Sequence, residues 1–140
     1  MADLNFAGSY DGLHLPYSPE AEQAVLGAII LESDTFDKVV DTLKSPDYFY
    51  VSLHKLIFAQ MQEMIGFGLS IDFVTLLEKL KQNKAFDETT GKTYLMDLVN
   101  NCPSISNAEE YAKIIAEKYN VRRLITLSLI HISEPTRLAL

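Results

Sequence analysis

The chain of 140 residues has no tryptophan, one cysteine and three histidines, and each shortage excludes something. Cys102 alone forms no internal disulfide, so a fold of this length must rest on a hydrophobic core rather than on cross-links. It has no neighbouring histidine in sequence and no nucleophile motif, and is expected to be a small buried or half-buried thiol. His14, His54 and His131 lack a His or Cys partner three or four positions away, which argues against a metal site; His54 is expected simply to face the first turn of its helix. No unbroken apolar run exceeds about eight residues, near 24–31, whereas a membrane span needs roughly 18 or more. Met1-Ala2-Asp3-Leu4 also lacks the basic start and apolar run of a secretory signal, so a cytoplasmic location with no membrane role is expected.

Basic residues are scarce as well: 12 Lys and Arg stand against 19 Asp and Glu, a formal net charge of −7. The imbalance sits in residues 1–70, with 10 acids and 3 bases, while residues 71–140 carry 9 of each. Neutralising phosphates requires clustered Lys and Arg, so tight direct binding of nucleic acid by this domain is not expected. Lys113, Lys118, Arg122 and Arg123 do gather along the last helical stretch. They read as a solvated face whose cations suit the negative end of the helix dipole.

What the sequence does have is helical periodicity around one central stretch, 18–31. Ser18 is placed to accept amide hydrogens of a first turn, Pro19 is pre-set for the first helical position, and Glu20 and Glu22 suit the positive dipole end. Ala21, Ala24, Val25, Ala28 and Ile29 repeat at helical spacing, and Leu26, Ile30 and Leu31 widen the stripe. Only Glu22, Gln23 and Gly27 remain for a non-core face, so this helix is expected at the centre of the core. Residues 1–17, with Gly8, Ser9, Gly12 and Pro16 and no sustained period, read as a flexible arm.

Five further helices are expected. A short second one is capped by Ser33 or Asp34 and buries Phe36, Val39, Val40 and Leu43 before Pro46 stops it; Tyr48-Phe49-Tyr50 then form an aromatic turn. The third runs from about 53 to 65 under a Ser52 cap until Gly66 and Gly68 end it. Asp72 caps a fourth, which turns Phe73, Leu76, Leu77 and Leu80 inward and pairs with the third. A loop from Asp87 to Gly91 leads to a fifth with Tyr94, Leu95, Leu98 and Val99 in line, terminated by Asn101, Cys102 and Pro103. Ser106 and Glu109 have capping-box spacing for a long sixth, running through Arg123 or as far as Ser128. Its apolar arc is wide: Tyr111, Ile115 and Tyr119 form one line, and Ile114, Val121 and Ile125 another about 100° away. An arc of that width implies two contacts, one to its own domain and one to a partner helix. The fold class is thus all-α, a compact bundle of about five short helices plus one long one.

No catalytic constellation is visible. Gly91-Lys92-Thr93 has the end of a phosphate-binding loop but not its beginning, since Phe86 holds the place of the required glycine and no apolar strand precedes it. Glu109-Glu110 and Asp87-Glu88 lie at caps and loops, where acids are common.

The landmarks Pro16-Tyr17-Ser18 before EAEQAVLGAIIL, Tyr48-Phe49-Tyr50, His54 with Ile57-Phe58, Ile71-Asp72, Gly91 with Tyr94-Leu95, Pro103-Ser104, and Tyr111-Ala112 followed by VRRLI recur in order over about 110 residues. Together they resemble the N-terminal domain of the DnaB-type bacterial replicative DNA helicases. The resemblance implies a helical collar rather than a motor, over residues 18–127. Its long helix would be the first arm of an incomplete hairpin that pairs subunits of a hexameric ring. It implies a docking surface for the C-terminal domain of primase, with Glu20, Tyr94 and Ile125 facing primase and Ile114, Val121 and Ile125 in the hairpin or subunit contact.

ATP and Mg would belong to a RecA-like ATPase domain outside this chain, with no cofactor or metal here, and single-stranded DNA would be met only through the full ring. LIHISEPTR resembles a translated sequencing adapter, so residues 128–140 are expected to be an artefactual tail, in which Pro135 would break any continuing helix. Two other readings are a helicase-binding helical domain of a primase, disfavoured by EAEQAVLGAIIL, and a generic helical interaction module. A free-standing helical enzyme has no residues at catalytic spacing to support it.

Overall fold

A computed structural model of the chain describes the backbone of residues 7–8, 11–12 and 15–133, with side chains over 15–130. The helices are α1 (Pro19–Leu31), α2 (Thr35–Val39), α3 (Ser52–Gly66), α4 (Phe73–Lys81), α5 (Glu88–Asn100) and α6 (Ala108–Ser133), with a 3₁₀ turn at Pro46–Tyr48. The architecture is the expected all-helical one, with one addition inside the arm: Ala7–Gly8 and Asp11–Gly12 form a two-residue antiparallel ladder. The end of the expected arm is tied down, because the Pro16 carbonyl accepts a hydrogen bond from Arg122 on α6. The rest of residues 1–14, and residues 134–140 of the expected tail, lie outside the described residues.

α1 is the central element, packing against α2, α3, α5 and α6. Ser18 Oγ accepts the Ala21 amide at 3.2 Å with Pro19 in the first turn, as its sequence dictates. Val25, Leu26, Ala28 and Ile29 are fully buried and join Phe36, Phe49, Phe58, Met61, Leu80, Leu95 and Ile115 in one core. Two of its three expected non-core residues are nevertheless inside. Gly27 is buried because α5 crosses there: a Cβ would strike the Leu98 carbonyl, so only glycine permits this approach. Glu22 is also buried, for a reason given below, and only Gln23 is exposed.

Local signals set most helix ends. Asp72 and Thr75 form a reciprocal capping box at α4, with Asp72 Oδ1 accepting the Thr75 amide at 2.9 Å. At the end of α3, Gly68 has φ +78°. The Leu69 amide bonds the Met64 carbonyl and the Gly68 amide that of Ile65, the Schellman arrangement that favours glycine there. Other expected caps differ. Ser52 lies inside α3, whose N-cap is Val51. Ser33 Oγ accepts the Ile71 amide instead of capping α2. α6 starts at Ala108, two residues after Ser106, whose hydroxyl pairs with that of Ser104. α5 starts at Glu88, so Gly91-Lys92-Thr93 lies inside a helix, and Gly91 gives room to the Phe86 ring.

Candidate functional site

Glu22 is 1% exposed and His54 0% exposed, and the two side chains meet at 2.7 Å between Oε1 and Nδ1. The Glu22 carboxylate also accepts the backbone amides of Tyr50 at 2.8 Å and Val51 at 3.3 Å, where the chain enters α3. A carboxylate from α1 thus holds the two residues that lead into α3, Tyr50 and the N-cap Val51, while the first-turn amides of α3 receive no side-chain cap. In the tautomer that gives its Nδ1 hydrogen to Glu22, the His54 ring leaves Nε2 as an acceptor. Nε2 lies 2.6 Å from Tyr94 Oη on α5, and Gln23 Nε2 donates to the same oxygen at 3.1 Å. Burial raises the Tyr94 phenol pKa above its ordinary value, with the nearby Glu22 and Asp97 charges adding to the effect. Tyr94 accordingly keeps its hydrogen and directs it at His54.

Arg122 is the second departure from the sequence expectation, being buried rather than part of a solvated face. Nη1 donates to the Pro16 carbonyl at 3.0 Å and Nη2 to the Tyr48 carbonyl at 2.8 Å. The guanidinium also lies 5.2 Å from the centre of the Tyr50 ring. Desolvation lowers its pKa while the Glu22 charge acts in the opposite direction. Tyr119 stacks on Tyr48 at 4.1 Å between ring centres, so Arg122 and Tyr119 together dock α6 on the turn before α3. Cys102 is half-buried as expected, its thiol pKa raised by burial.

Above this network, α1 and α5 enclose a cleft of about 380 Å³. Buried Ala24 and Leu98 form its floor, exposed Glu20, Gln23, Asp97, Asn101 and Pro103 its rim, and half-buried Tyr94 one wall. Glu20 and Tyr94, named from sequence as partner-facing, therefore share one cleft. Ile125 does not line it; it is half-buried on α6 in a separate shallow groove with Val121, Leu124 and Leu129. Ile114 and Val121 are 38% and 39% exposed, whereas Ile115 on the other expected line is buried. One side of α6 is thus satisfied by its own domain, while Val121, Leu124 and Leu129 face outward.

Glu22, His54 and Arg122 are the residues that sequence reasoning missed as a unit. A carboxylate at a helix start, a lone histidine and an arginine near a helix end each have an ordinary local explanation, and their partners are distant in the chain. Among the described residues no group of three or more His, Cys, Asp or Glu is placed to hold a metal ion. No described helix is long and apolar enough to cross a membrane.

The described residues thus form a helical domain with a cleft between α1 and α5 and an uncovered apolar face on the long α6. Residues 14–117 match the family model described as DnaB-like helicase N terminal domain, and the chain belongs to that family. It is 37% identical over 117 residues to the replicative DNA helicase DnaB of Pasteurella multocida, covering 84% of this chain and 25% of the relative. To the replicative DNA helicase DnaC of Bacillus subtilis it is 40% identical over 110 residues, covering 79% of this chain and 24% of that one.

The chain therefore spans about a quarter of the length of these relatives. The crystal structure of the N-terminal domain of DnaB helicase from Mycobacterium tuberculosis has the same fold, with a TM-score of 0.84 and 30% identity, covering 90% of this chain and 89% of that one. A DnaB-like replicative helicase whose structure was described with its interactions with primase shares the fold at a TM-score of 0.72 and 24% identity, over 83% of this chain and 27% of the other.

Proposed function

We propose that this domain acts as a collar in a replicative helicase, docking primase and pairing subunits, while a separate motor binds ATP and Mg. The observation that carries the reading is the division of the surface into two unlike features on a family fold: the α1–α5 cleft and the uncovered face of α6. The cleft is partly polar, with Glu20, Gln23, Asp97 and Asn101 at its rim, suited to a partner that comes and goes. The α6 face is apolar, with Leu124 at 67% and Leu129 at 43% exposure, suited to permanent helix packing.

Glu20 and Tyr94 contact primase in this reading, and Ile114, Val121 and Ile125 serve the contact between α6 and its hairpin mate or a neighbouring subunit. Ile125, expected in both contacts, is read here with the second group, because it lines a groove on α6 with Val121, Leu124 and Leu129. The primase described with the solved DnaB-like helicase is the precedent for the partner. A hexameric ring, with single-stranded DNA met only by the whole ring, completes the assembly. ATP chemistry is assigned in this reading to the separate motor; in support, Gly91-Lys92-Thr93 lies within α5, where the Gly91 amide bonds the Asp87 carbonyl at 2.7 Å.

The test is titration of the cognate primase's C-terminal domain into this chain by calorimetry, with an ATPase assay on the same sample. Saturable binding without ATP turnover is expected. ATP hydrolysis by the purified chain, or no primase binding at high micromolar concentration, would overturn the reading.

A further inference from the structure

We propose that the α1–α5 cleft takes an arginine or lysine side chain of the docked partner, held between Glu20 and Asp97 against Tyr94, with Glu22 and His54 as positioning residues for the Tyr94 hydroxyl. This rests on the docking reading above and adds the chemistry of the occupant.

Three observations carry it. First, the cleft is lined by two carboxylates and no cation, and neither Glu20 nor Asp97 has a cationic partner among the described residues. Secondly, the hydroxyl of Tyr94 is oriented from below. With the Nδ1 hydrogen of His54 on Glu22, itself fixed by two backbone amides, Nε2 is the acceptor that draws the Tyr94 hydrogen inward over 2.6 Å. Toward the cleft Tyr94 offers oxygen lone pairs, one of them already engaged by Gln23. The rim thus presents acceptors from both helices, a pattern that a guanidinium or ammonium satisfies and a carboxylate does not.

Thirdly, the floor of Ala24 and Leu98 is apolar and buried, so the aliphatic stem of such a side chain has a surface to cover. His54 stacks on the Tyr94 ring with 5.7 Å between centres, which holds that wall in place before a partner arrives. Little ordering is then required on binding.

The experiment titrates the C-terminal domain of the cognate primase into the full chain, following affinity by calorimetry over a salt series and amide shifts by NMR. Glu20→Gln and Asp97→Asn should each weaken binding about threefold to tenfold, and the pair together should flatten its salt dependence. Shifts at Tyr94 and its neighbours with affinity insensitive to both carboxylates and to salt would overturn the cation assignment and leave docking intact. No shift at the cleft would overturn docking and the assignment with it.

The positioning role is read separately. His54→Gln can donate to Glu22 and accept from Tyr94, and should bind within about twofold of the parent; His54→Leu should lose about as much as Tyr94→Phe. A folded His54→Leu, shown by an unchanged amide spectrum away from the cleft, that binds as the parent does would refute it. Should His54→Leu not fold, parent-like binding by Tyr94→Phe would refute it instead.

Discussion

Glu22→Gln changes one buried oxygen to an amide nitrogen and barely alters volume, so it isolates the electrostatics of the network. In the parent, Oε2 accepts the Tyr50 amide at 2.8 Å while Oε1 accepts the Val51 amide at 3.3 Å and faces His54 Nδ1 at 2.7 Å. Whichever way the glutamine amide is turned, its NH₂ meets a backbone donor. His54 can exchange its tautomer to suit the change, but a backbone amide cannot. At least one buried donor is left unpaired, and the remaining bonds lose charge assistance, which together cost about 2–4 kcal/mol. Arg122, buried alongside, also loses the negative charge that favours its ionised form.

For a chain of this size about 3 kcal/mol corresponds to a fall of roughly 10 °C in Tm. The assay is thermal and urea denaturation near neutral pH, with Glu20→Gln as control. Glu20 lies two residues earlier in the same helix turn but is exposed, and its substitution should stay within about 0.5 kcal/mol. If Glu22→Gln is also within about 0.5 kcal/mol of the parent, the argument that this carboxylate organises the start of α3 is wrong.

Gly27→Ala should cost about 3 kcal/mol or more in urea unfolding, because its methyl meets a backbone carbonyl of α5 that cannot rotate away; a neutral effect would refute the close crossing. Asp72→Ala should cost about 1 kcal/mol through loss of the α4 cap. Its carboxyl pKa is depressed, chiefly by the Thr75 amide, so the cap's contribution is full above about pH 4 and fades as pH falls through the folded value. Parent and variant stabilities should draw together as pH falls below about 4, and a difference that stays constant through the acid range would contradict the assignment. Leu124→Glu on the outward face of α6 should leave the unfolding free energy within about 0.5 kcal/mol yet reduce self-association measured by light scattering; unchanged association would remove this face from the subunit contact.

The sequence spoke clearly wherever structure is decided by neighbours in the chain. Ser18-Pro19, Asp72 with Thr75, and Gly68 set helix ends by contacts within a few residues, and the inward Leu76, Leu77 and Leu80 of α4 follow from helical period alone. Ser52 and Ser106 show the limit of that reasoning. Each is a good cap by type, but α3 begins one residue earlier than expected, at Ser52 itself, with Glu22 of another helix holding the Tyr50 and Val51 amides just before it, and at α6 the helix begins two residues later. The polar network was illegible for the same reason: Glu22 and His54 are 32 residues apart and His54 and Tyr94 are 40 apart, with no local pattern connecting them. Glu20 and Tyr94 were found through family resemblance, and the cleft that joins them appears only when α1 and α5 are packed.

The central claim is that partner docking occurs at the α1–α5 cleft, and amide NMR mapping of the cognate primase's C-terminal domain on this chain tests it most directly. Shifts should concentrate at Glu20, Gln23, Tyr94 and Asp97, and Tyr94→Ala should weaken association while the rest of the spectrum remains that of the folded domain. Shifts confined to α6 or to the α3–α4 side, with Tyr94→Ala binding as the parent does, would contradict it.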